Sequence, residues 1–119
     1  MGNLEKGRKG EQLAKRFLKE ASVQIIGMNL RTEYGEIDIL GKLDGVLIFF
    51  EVKTRHGRTF GDPESAINVH KKRHMIQSAK SYIMEEFDHD PDWRIDVIAI
   101  QKKKNKPAEI KWFRNAVYE

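Results

Sequence analysis

The residues that could do chemistry alternate with apolar residues in one stretch of the chain, residues 35–55. At its centre, Asp44-Gly45 predicts a two-residue type I′ turn between two strands, because such a turn needs positive φ at both positions. With that turn, Asp38 on the first strand lies directly opposite Glu51 on the second. Directly opposed residues have Cβ atoms roughly 4.5–5.5 Å apart, and like charges placed there destabilise a sheet. A divalent cation is the simplest reason to keep two carboxylates together, since Mg²⁺ prefers oxygen ligands.

Lys53 shares a strand face with Glu51, because side chains alternate along a strand. Lys53 could contact a phosphate or an attacking water beside the cation. The alternative interpretation is a solvent-exposed strand face on which Glu36 and Lys53 form a cross-strand ion pair. A longer loop would change which residues oppose each other, but it would leave Glu51 and Lys53 on one face. The other face of the hairpin is predicted to be core and carries Ile37, Ile39, Ile48, Phe50 and Val52.

An amphipathic helix predicted from Leu4 to Glu20 could bring another carboxylate to the hairpin. Its apolar stripe consists of Leu13, Ala14, Phe17, Leu18 and Ala21. Gly7 and Gly10 project to the same side, which predicts close approach to other backbone. Glu11 lies on the rim of the stripe at about 100° per residue, from where it could lean toward the carboxylate pair. Position alone favours the alternative, a solvated glutamate paired with Lys15.

The rest of the chain predicts a further helix and three further strands. Strands are predicted over Ser22 to Thr32, Arg94 to Gln101 and Ala108 to Phe113, and a helix over Val69 to Phe87. The helix stripe is Met75, Ile76, Ala79, Tyr82, Ile83 and Phe87. The predicted order is therefore helix, three strands, helix and two strands (αβββαββ), an α/β fold.

Two polar features flank these elements. Asp62-Pro63-Glu64 is a helix-start signal, with Asp as N-cap and Pro at N1, and a short turn is predicted from Glu64 to Ile67. Asp96 interrupts an almost continuously apolar strand, which favours a structural hydrogen-bonding role.

Basic residues near the hairpin point to a polyanionic partner. The chain has 22 Lys and Arg against 18 Asp and Glu, a formal net charge of +4, which suits nucleic acid but is weak evidence alone. Arg55 and Arg58 flank the end of the hairpin, and Lys71 and Lys72 lie near the start of the second helix, against the usual dipole preference. An anion nearby would explain these lysines, and lysines whose stems cover apolar surface would explain them equally well.

Composition excludes several other classes. The chain has no cysteine, so disulfide frameworks and thiolate metal sites are excluded. No apolar run approaches the roughly 20 residues of a membrane span, and no signal peptide is visible, so a cytoplasmic protein without membrane contact is expected. The length of 119 residues fits a single domain, 1–119. His70 and His74 have zinc-pair spacing but no obvious third ligand, and Asp88 to Asp92 begins a calcium-like loop that lacks its glycine and final glutamate.

The combined motifs resemble a known family. Asp38 with Glu51-Val52-Lys53 resembles the Asp…(Asp/Glu)-x-Lys core of the restriction-endonuclease-like nuclease superfamily. More narrowly, Gly35–Asp38 with Glu51–Arg55 resembles the YraN-type family of small, largely uncharacterised bacterial proteins. Further matching motifs are Lys6-Gly7, Gly10-Glu11, Phe60-Gly61, Lys71–Arg73 and Arg94–Val97. The resemblance covers almost the whole chain, and that family is similar in arrangement to archaeal Holliday-junction resolvases, which also carry a glutamate on the first helix.

The resemblance implies a restriction-endonuclease-like core, a mixed β-sheet flanked by helices. It implies Mg²⁺ or Mn²⁺ held by Asp38 and Glu51, with the Val52 carbonyl as a further ligand. Glu11 would act on the metal or its water shell, and Lys53 would position water or stabilise charge on the phosphate. The implied activity is hydrolysis of phosphodiester bonds in DNA, including structured or branched DNA. Backbone contacts are expected from Arg55, Arg58, Lys71 and Lys72.

Two rival functions stay open on the sequence. One is a nucleic-acid-binding module without catalysis, and the other is a protein-interaction subunit on a nuclease fold. The expected partner is nucleic acid, DNA before RNA, and a protein partner is left open. Resolution of a symmetric junction would require a two-fold homodimer, but the sequence carries no clear dimer signal.

Overall fold

In the described part of the chain, two helices pack on a five-stranded sheet. The structure is a computed structural model that describes residues 3–56 and 68–119, with side chains from residue 8 onward. In chain order the elements are α1 (Asn3–Glu20), β1 (Gln24–Thr32), β2 (Gly35–Leu43), β3 (Val46–His56), α2 (Val69–Glu86), β4 (Trp93–Lys102) and β5 (Glu109–Val117). The predicted α/β fold and element order are confirmed. The helix start predicted at Asp62–Glu64 and the turn after it lie outside the described residues.

The strands form one mixed sheet in the order β1-β2-β3-β4-β5. β3 and β4 are parallel, and the other neighbouring pairs are antiparallel. Parallel neighbours need a crossover connection, usually a helix, and α2 provides it here. Neither described helix is long and apolar enough to cross a membrane.

Each helix covers one face of the sheet. The α1-side cluster contains the buried residues Ala14, Leu18, Val23, Ile39, Ile48, Phe50, Ile98 and Ile100. The α2-side cluster contains Ile37, Leu40, Leu47, Phe49, Ala79, Ile83, Ile95, Val97 and Val117. The predicted stripe of the second helix is confirmed, because all its members belong to the α2-side cluster or pack against it. In the first helix, Ala21 is exposed because α1 ends one residue earlier.

The central hairpin forms around the predicted turn. Asp44 and Gly45 have φ values of 51° and 79°, as a type I′ turn requires. The predicted register is confirmed over five residue pairs, the last of which joins Ile39 to Phe50. These local signals therefore position β2 against β3 correctly up to the edge of the polar residues.

Beyond that last pair, β2 and β3 separate, and the predicted direct pairing of Asp38 with Glu51 is wrong. The predicted pairing of Glu36 with Lys53 is wrong as well, since the paired register of β2 and β3 ends at Ile39 and Phe50. Glu36 keeps its pairing with β1, and Lys53 keeps its pairing with β4. The physical reason is a substituted hydrogen bond: Val52 N–H donates to Asp38 Oδ2 at 2.9 Å. In the continued register, this N–H would have bonded to the backbone of β2.

The alternation of side chains also changes where the strands separate. Strict alternation predicts Ile37 on the face of Ile39, but Ile37 belongs to the α2-side cluster. The neighbouring strand changes face at the same level: Met28 packs on the α1 side and Leu30 on the α2 side. Asn29 between them has φ of 51°, a left-handed conformation that breaks the two-residue period of an extended strand.

Candidate active site

The point where β2 and β3 separate holds two carboxylates. Glu51 is 7% exposed, so the alternative interpretation of a solvent-exposed hairpin face does not apply at this residue. Asp38 is half-buried and close to Glu51. Burial raises the pKa of Asp38, the Glu51 and Glu11 carboxylates raise it further, and the hydrogen bond from Val52 opposes them, with the result that the pKa rises from its ordinary 3.8 to about 8. The site therefore favours a shared proton or a cation over two free negative charges.

A second buried aspartate in the same sheet shows a different environment. Asp96 is fully buried, and it accepts hydrogen bonds from Arg94 Nε at 3.0 and 3.1 Å, from Trp112 Nε1 at 2.8 Å and from Asn115 N–H at 2.8 Å. Its predicted role as a structural hydrogen-bonding partner is confirmed. Asp38, by contrast, accepts a backbone hydrogen bond from Val52 and otherwise faces the carboxylates of Glu51 and Glu11.

The α1 helix brings Glu11 to Asp38 from the other face of the sheet. Gly10 makes this possible, because a Cβ at that position would clash with the Thr54 side chain on β3. The predicted close approach of the helix is thereby confirmed. Glu11, Glu36 and Asp38 each place one carboxylate oxygen within 4.8 Å of the others. Glu11 therefore leans over the sheet, as its helical position allowed, and it accepts a hydrogen bond from Asn29 rather than pairing with Lys15.

Glu36 and Asn29 are site residues that the sequence interpretation missed. Asn29 Nδ2 donates to Glu11 Oε1 at 2.7 Å and to Glu36 Oε1 at 2.9 Å. An available signal was the position of an Asn in the middle of an apolar strand, because Asn is enriched among residues with positive φ. The sequence offers Glu36 as an ion-pair partner of Lys53, but the separation of the strands takes it to the carboxylate cluster.

Two lysines approach Glu51. Lys53 Nζ lies 3.8 Å from Glu51 Oε1, and Lys71 Nζ on α2 lies 3.1 Å from the same oxygen. Lys71 thus belongs to the site itself. Lys72 follows it on the same helix and is half-buried. Arg55 is half-buried, and its buried Nε has no hydrogen-bond partner among the described residues. The fourth predicted backbone contact, Arg58, lies outside those residues.

A small cavity of about 20 Å³ lies between the carboxylates and α2. Its polar lining is contributed by Glu36, Asp38, Glu51 and Ser78, and its other walls are Ile37, Phe49, Phe50, Met75 and Ile95. A cavity needs roughly 10–15 Å³ to hold one water molecule. The space therefore suits a single water molecule or a single small cation beside the carboxylates.

The donor atoms of this site fit a hard cation. Asp38, Glu51, Glu11 and Glu36 offer carboxylate oxygens, which Mg²⁺ and Mn²⁺ prefer over softer metals. The zinc alternative gains no support, because no third acidic, histidine or cysteine side chain of the described residues joins the exposed His70 and His74.

The family of the chain follows from its similarity to known proteins. A model of the uncharacterised protein family UPF0102 matches residues 10–100. The chain belongs to this family. The predicted YraN-type membership is confirmed, and the matched range contains Glu11, Asp38, Glu51 and Lys53.

Relatives from three organisms match most of this chain and most of their own length. A UPF0102 protein of Chloroherpeton thalassium is 38% identical over 87% of this chain and 81% of its own length. One from Rhodococcus opacus is 38% identical over 96% and 97%, and one from Symbiobacterium thermophilum is 35% identical over 94% and 95%. Their names state the family and no activity.

Proposed function

We propose that this protein is a metal-dependent nuclease that hydrolyses phosphodiester bonds in DNA. The observation that carries the proposal is the pair Asp38 and Glu51, held together beside a small cavity with Glu11 nearby. Carboxylates this close to one another oppose folding unless cations offset their charge. Lys53 and Lys71 lie beside Glu51, and a metal ion would offset the charge on Asp38 and Glu11 as well. A strongly perturbed carboxyl group in a cleft is also a mark of functional sites.

The chain's own carboxylates supply the ligands for the proposed ion. Asp38 and Glu51 would hold Mg²⁺ or Mn²⁺, with the Val52 carbonyl as a further ligand and Glu11 acting on the ion or its water shell. When bound, the ion would lower the pKa of a water molecule and neutralise charge at the phosphorus.

Lys53 would act on the substrate phosphate. Its ammonium lies 3.8 Å from Glu51, at the border between the carboxylates and solvent, since its side chain is 31% exposed. A fixed cation there would orient the attacking water or stabilise negative charge that develops on the phosphate oxygens.

The remaining basic residues would hold the nucleic-acid backbone. Lys71 approaches the carboxylates from α2, and Lys72 is its neighbour. Arg55 lies near the end of the active-site strand β3, and Arg58 follows that strand in the sequence. Contacts of this kind neutralise phosphates and release counterions, so binding would weaken steeply as salt is raised.

The test is cleavage of labelled DNA by the pure protein in Mn²⁺, with linear duplex, single-stranded, flapped and four-way substrates. The Glu51→Gln variant keeps the size of the side chain and removes its charge. We expect it to lose at least about 100-fold in cleavage rate, the scale for losing one preorganised charge-stabilising group. The matched control is Glu20→Gln, at an exposed position on α1, and it should cleave like the parent. Equal rates for Glu51→Gln and the parent would refute the catalytic assignment.

The rival functions give different results in the same experiment. DNA binding in a gel-shift assay, without cleavage and without Mn²⁺ binding, would favour a non-catalytic binding module. No affinity for any DNA or RNA at moderate salt would favour an interaction subunit. The preferred substrate in the panel would show whether branched DNA is favoured over linear DNA.

A further inference from the structure

Asn29 has an unusual backbone conformation beside the carboxylate cluster. Its φ is 51° in the middle of β1, and it lies across from Asp38, since the flanking residues Met28 and Leu30 pair with Ile39 and Ile37. Non-glycine residues seldom adopt positive φ, and Asn does so more easily than most. The conformation turns the Asn29 side chain out of the regular alternation of the strand.

The Asn29 side chain connects β1 with both α1 and β2. Asn29 Nδ2 donates to Glu11 Oε1 on α1 at 2.7 Å and to Glu36 Oε1 on β2 at 2.9 Å. A primary amide nitrogen has two hydrogens, so each carboxylate receives one of them. Only Nδ2 can serve both, because Oδ1 is an acceptor.

The chemistry of the amide distinguishes Asn29 from a charged or hydroxyl side chain placed between two acids. A lysine or arginine would hold both carboxylates but would also neutralise the negative charge that attracts a cation. An aspartate would add another like charge, and a serine has a single hydrogen to donate. An asparagine orients two carboxylates and leaves their charge intact.

We propose that Asn29 is a positioning residue for the metal site, and that it fixes Glu11 and Glu36 so that both face Asp38. The role rests on the metal-dependent function proposed above. The positioning role also places Glu36 among the carboxylates of the site, close to Glu11 and Asp38. Groups that orient metal ligands commonly change metal affinity 10–100-fold when they are removed.

The test uses Asn29→Gly, with Mn²⁺ alone as the probe. Glycine adopts the positive φ without strain, so the backbone is kept while both hydrogen bonds are lost. We expect the Kd for Mn²⁺ to rise about tenfold or more, while the variant still unfolds cooperatively in EDTA. The matched control is Asn115→Gly, a positive-φ position on β5 with φ of 50° whose backbone N–H to Asp96 survives the change.

A double-mutant cycle separates positioning from a general structural effect. If Asn29 acts by holding Glu11, then Asn29→Gly should change the Kd for Mn²⁺ less in a Glu11→Ala background than in the parent. Equal changes in the two backgrounds, an unchanged Kd in the single variant, or loss of its cooperative unfolding would each overturn the positioning role. A parent that binds no Mn²⁺ would overturn the metal site and the positioning role together. A parent that binds Mn²⁺ without cleaving DNA would leave the cycle valid and refute the nuclease alone.

Discussion

Replacing Asp38 by Asn should stabilise the metal-free protein, and the gain should grow with pH. Burial, then the charges of Glu51 and Glu11, raise the pKa of Asp38 from 3.8 to about 8. In the unfolded chain the same carboxyl titrates near its ordinary value. Between those two pH values the native state therefore binds more protons than the unfolded state, so the free energy of unfolding falls as pH rises. An amide at position 38 cannot ionise and escapes this loss.

The size of the effect follows from the difference between the two pKa values. About four pH units at 1.36 kcal/mol each set an upper limit of about 6 kcal/mol. Asp38 is half-buried, so solvent and small side-chain movements will screen much of this. We expect a gain of about 2 kcal/mol above pH 8, roughly 8 °C in melting temperature for a chain of this size. The Asn oxygen can still accept the Val52 N–H.

The assay is thermal unfolding of the parent and the variant in EDTA at pH 5, 7 and 9. The difference between them should be small at pH 5, larger at pH 7 and largest at pH 9. Asp96→Asn is the matched control, because Asp96 accepts hydrogen bonds from three residues. Removal of its charge should lower the free energy of unfolding by about 2 kcal/mol or more at every pH. A destabilised Asp38→Asn, or a difference that does not change with pH, would refute the account of Asp38 as an uncompensated acid.

Three further changes test contacts around the site. Lys71→Met removes the ammonium 3.1 Å from Glu51 and should tighten Mn²⁺ binding several-fold in a calorimetric titration; weaker binding would show that Lys71 supports the site. Glu11→Gln should weaken Mn²⁺ binding and DNA cleavage while leaving the gel shift unchanged, and a cleavage rate equal to that of the parent would contradict its role. Gly10→Ala forces a Cβ against Thr54 and should lower the free energy of unfolding in urea by about 1–3 kcal/mol; adding Thr54→Ala should restore part of it, and no effect of either change would contradict the close approach.

Two of these changes have controls on the same helices. Lys80→Met removes another α2 lysine, one that pairs with Glu119 rather than with the site, and it should leave Mn²⁺ binding unchanged. Glu20→Gln removes an exposed α1 carboxylate and should leave both binding and cleavage unchanged. A similar change in either control would show that net charge, and not contact with the site, determines the affinity.

What the sequence predicts well is set by short-range rules. Asp44-Gly45 specifies its turn because few residues accept positive φ, and a two-residue turn then fixes the register of the hairpin. The helix period placed Glu11 at the edge of its stripe, and the packing of Gly10 on β3 carries it to the acids. The proximity of Glu36 and Asp38 follows from their positions two residues apart on one strand.

The remaining features depend on contacts between distant parts of the chain. The change of face at Asn29 requires packing on both sides of the sheet, with Met28 held by one cluster and Leu30 by the other. No local sequence pattern specifies that these two residues belong to opposite faces of the sheet. The 3.1 Å contact of Lys71 with Glu51 likewise depends on where α2 lies along the sheet, and this is set by the crossover and the core rather than by spacing in the sequence.

The hydrogen bond from Val52 N–H to Asp38 makes one backbone amide a natural spectroscopic reporter. Most amides in a sheet bond to carbonyl oxygens, whose charge does not change. This one bonds to a carboxylate, and a charged acceptor gives a shorter and stronger bond than a neutral one. Its nuclear magnetic resonance should therefore move when Asp38 gains a proton or a cation. Titration of a single ¹⁵N–¹H signal would follow events at the site without substrate, label or cleavage.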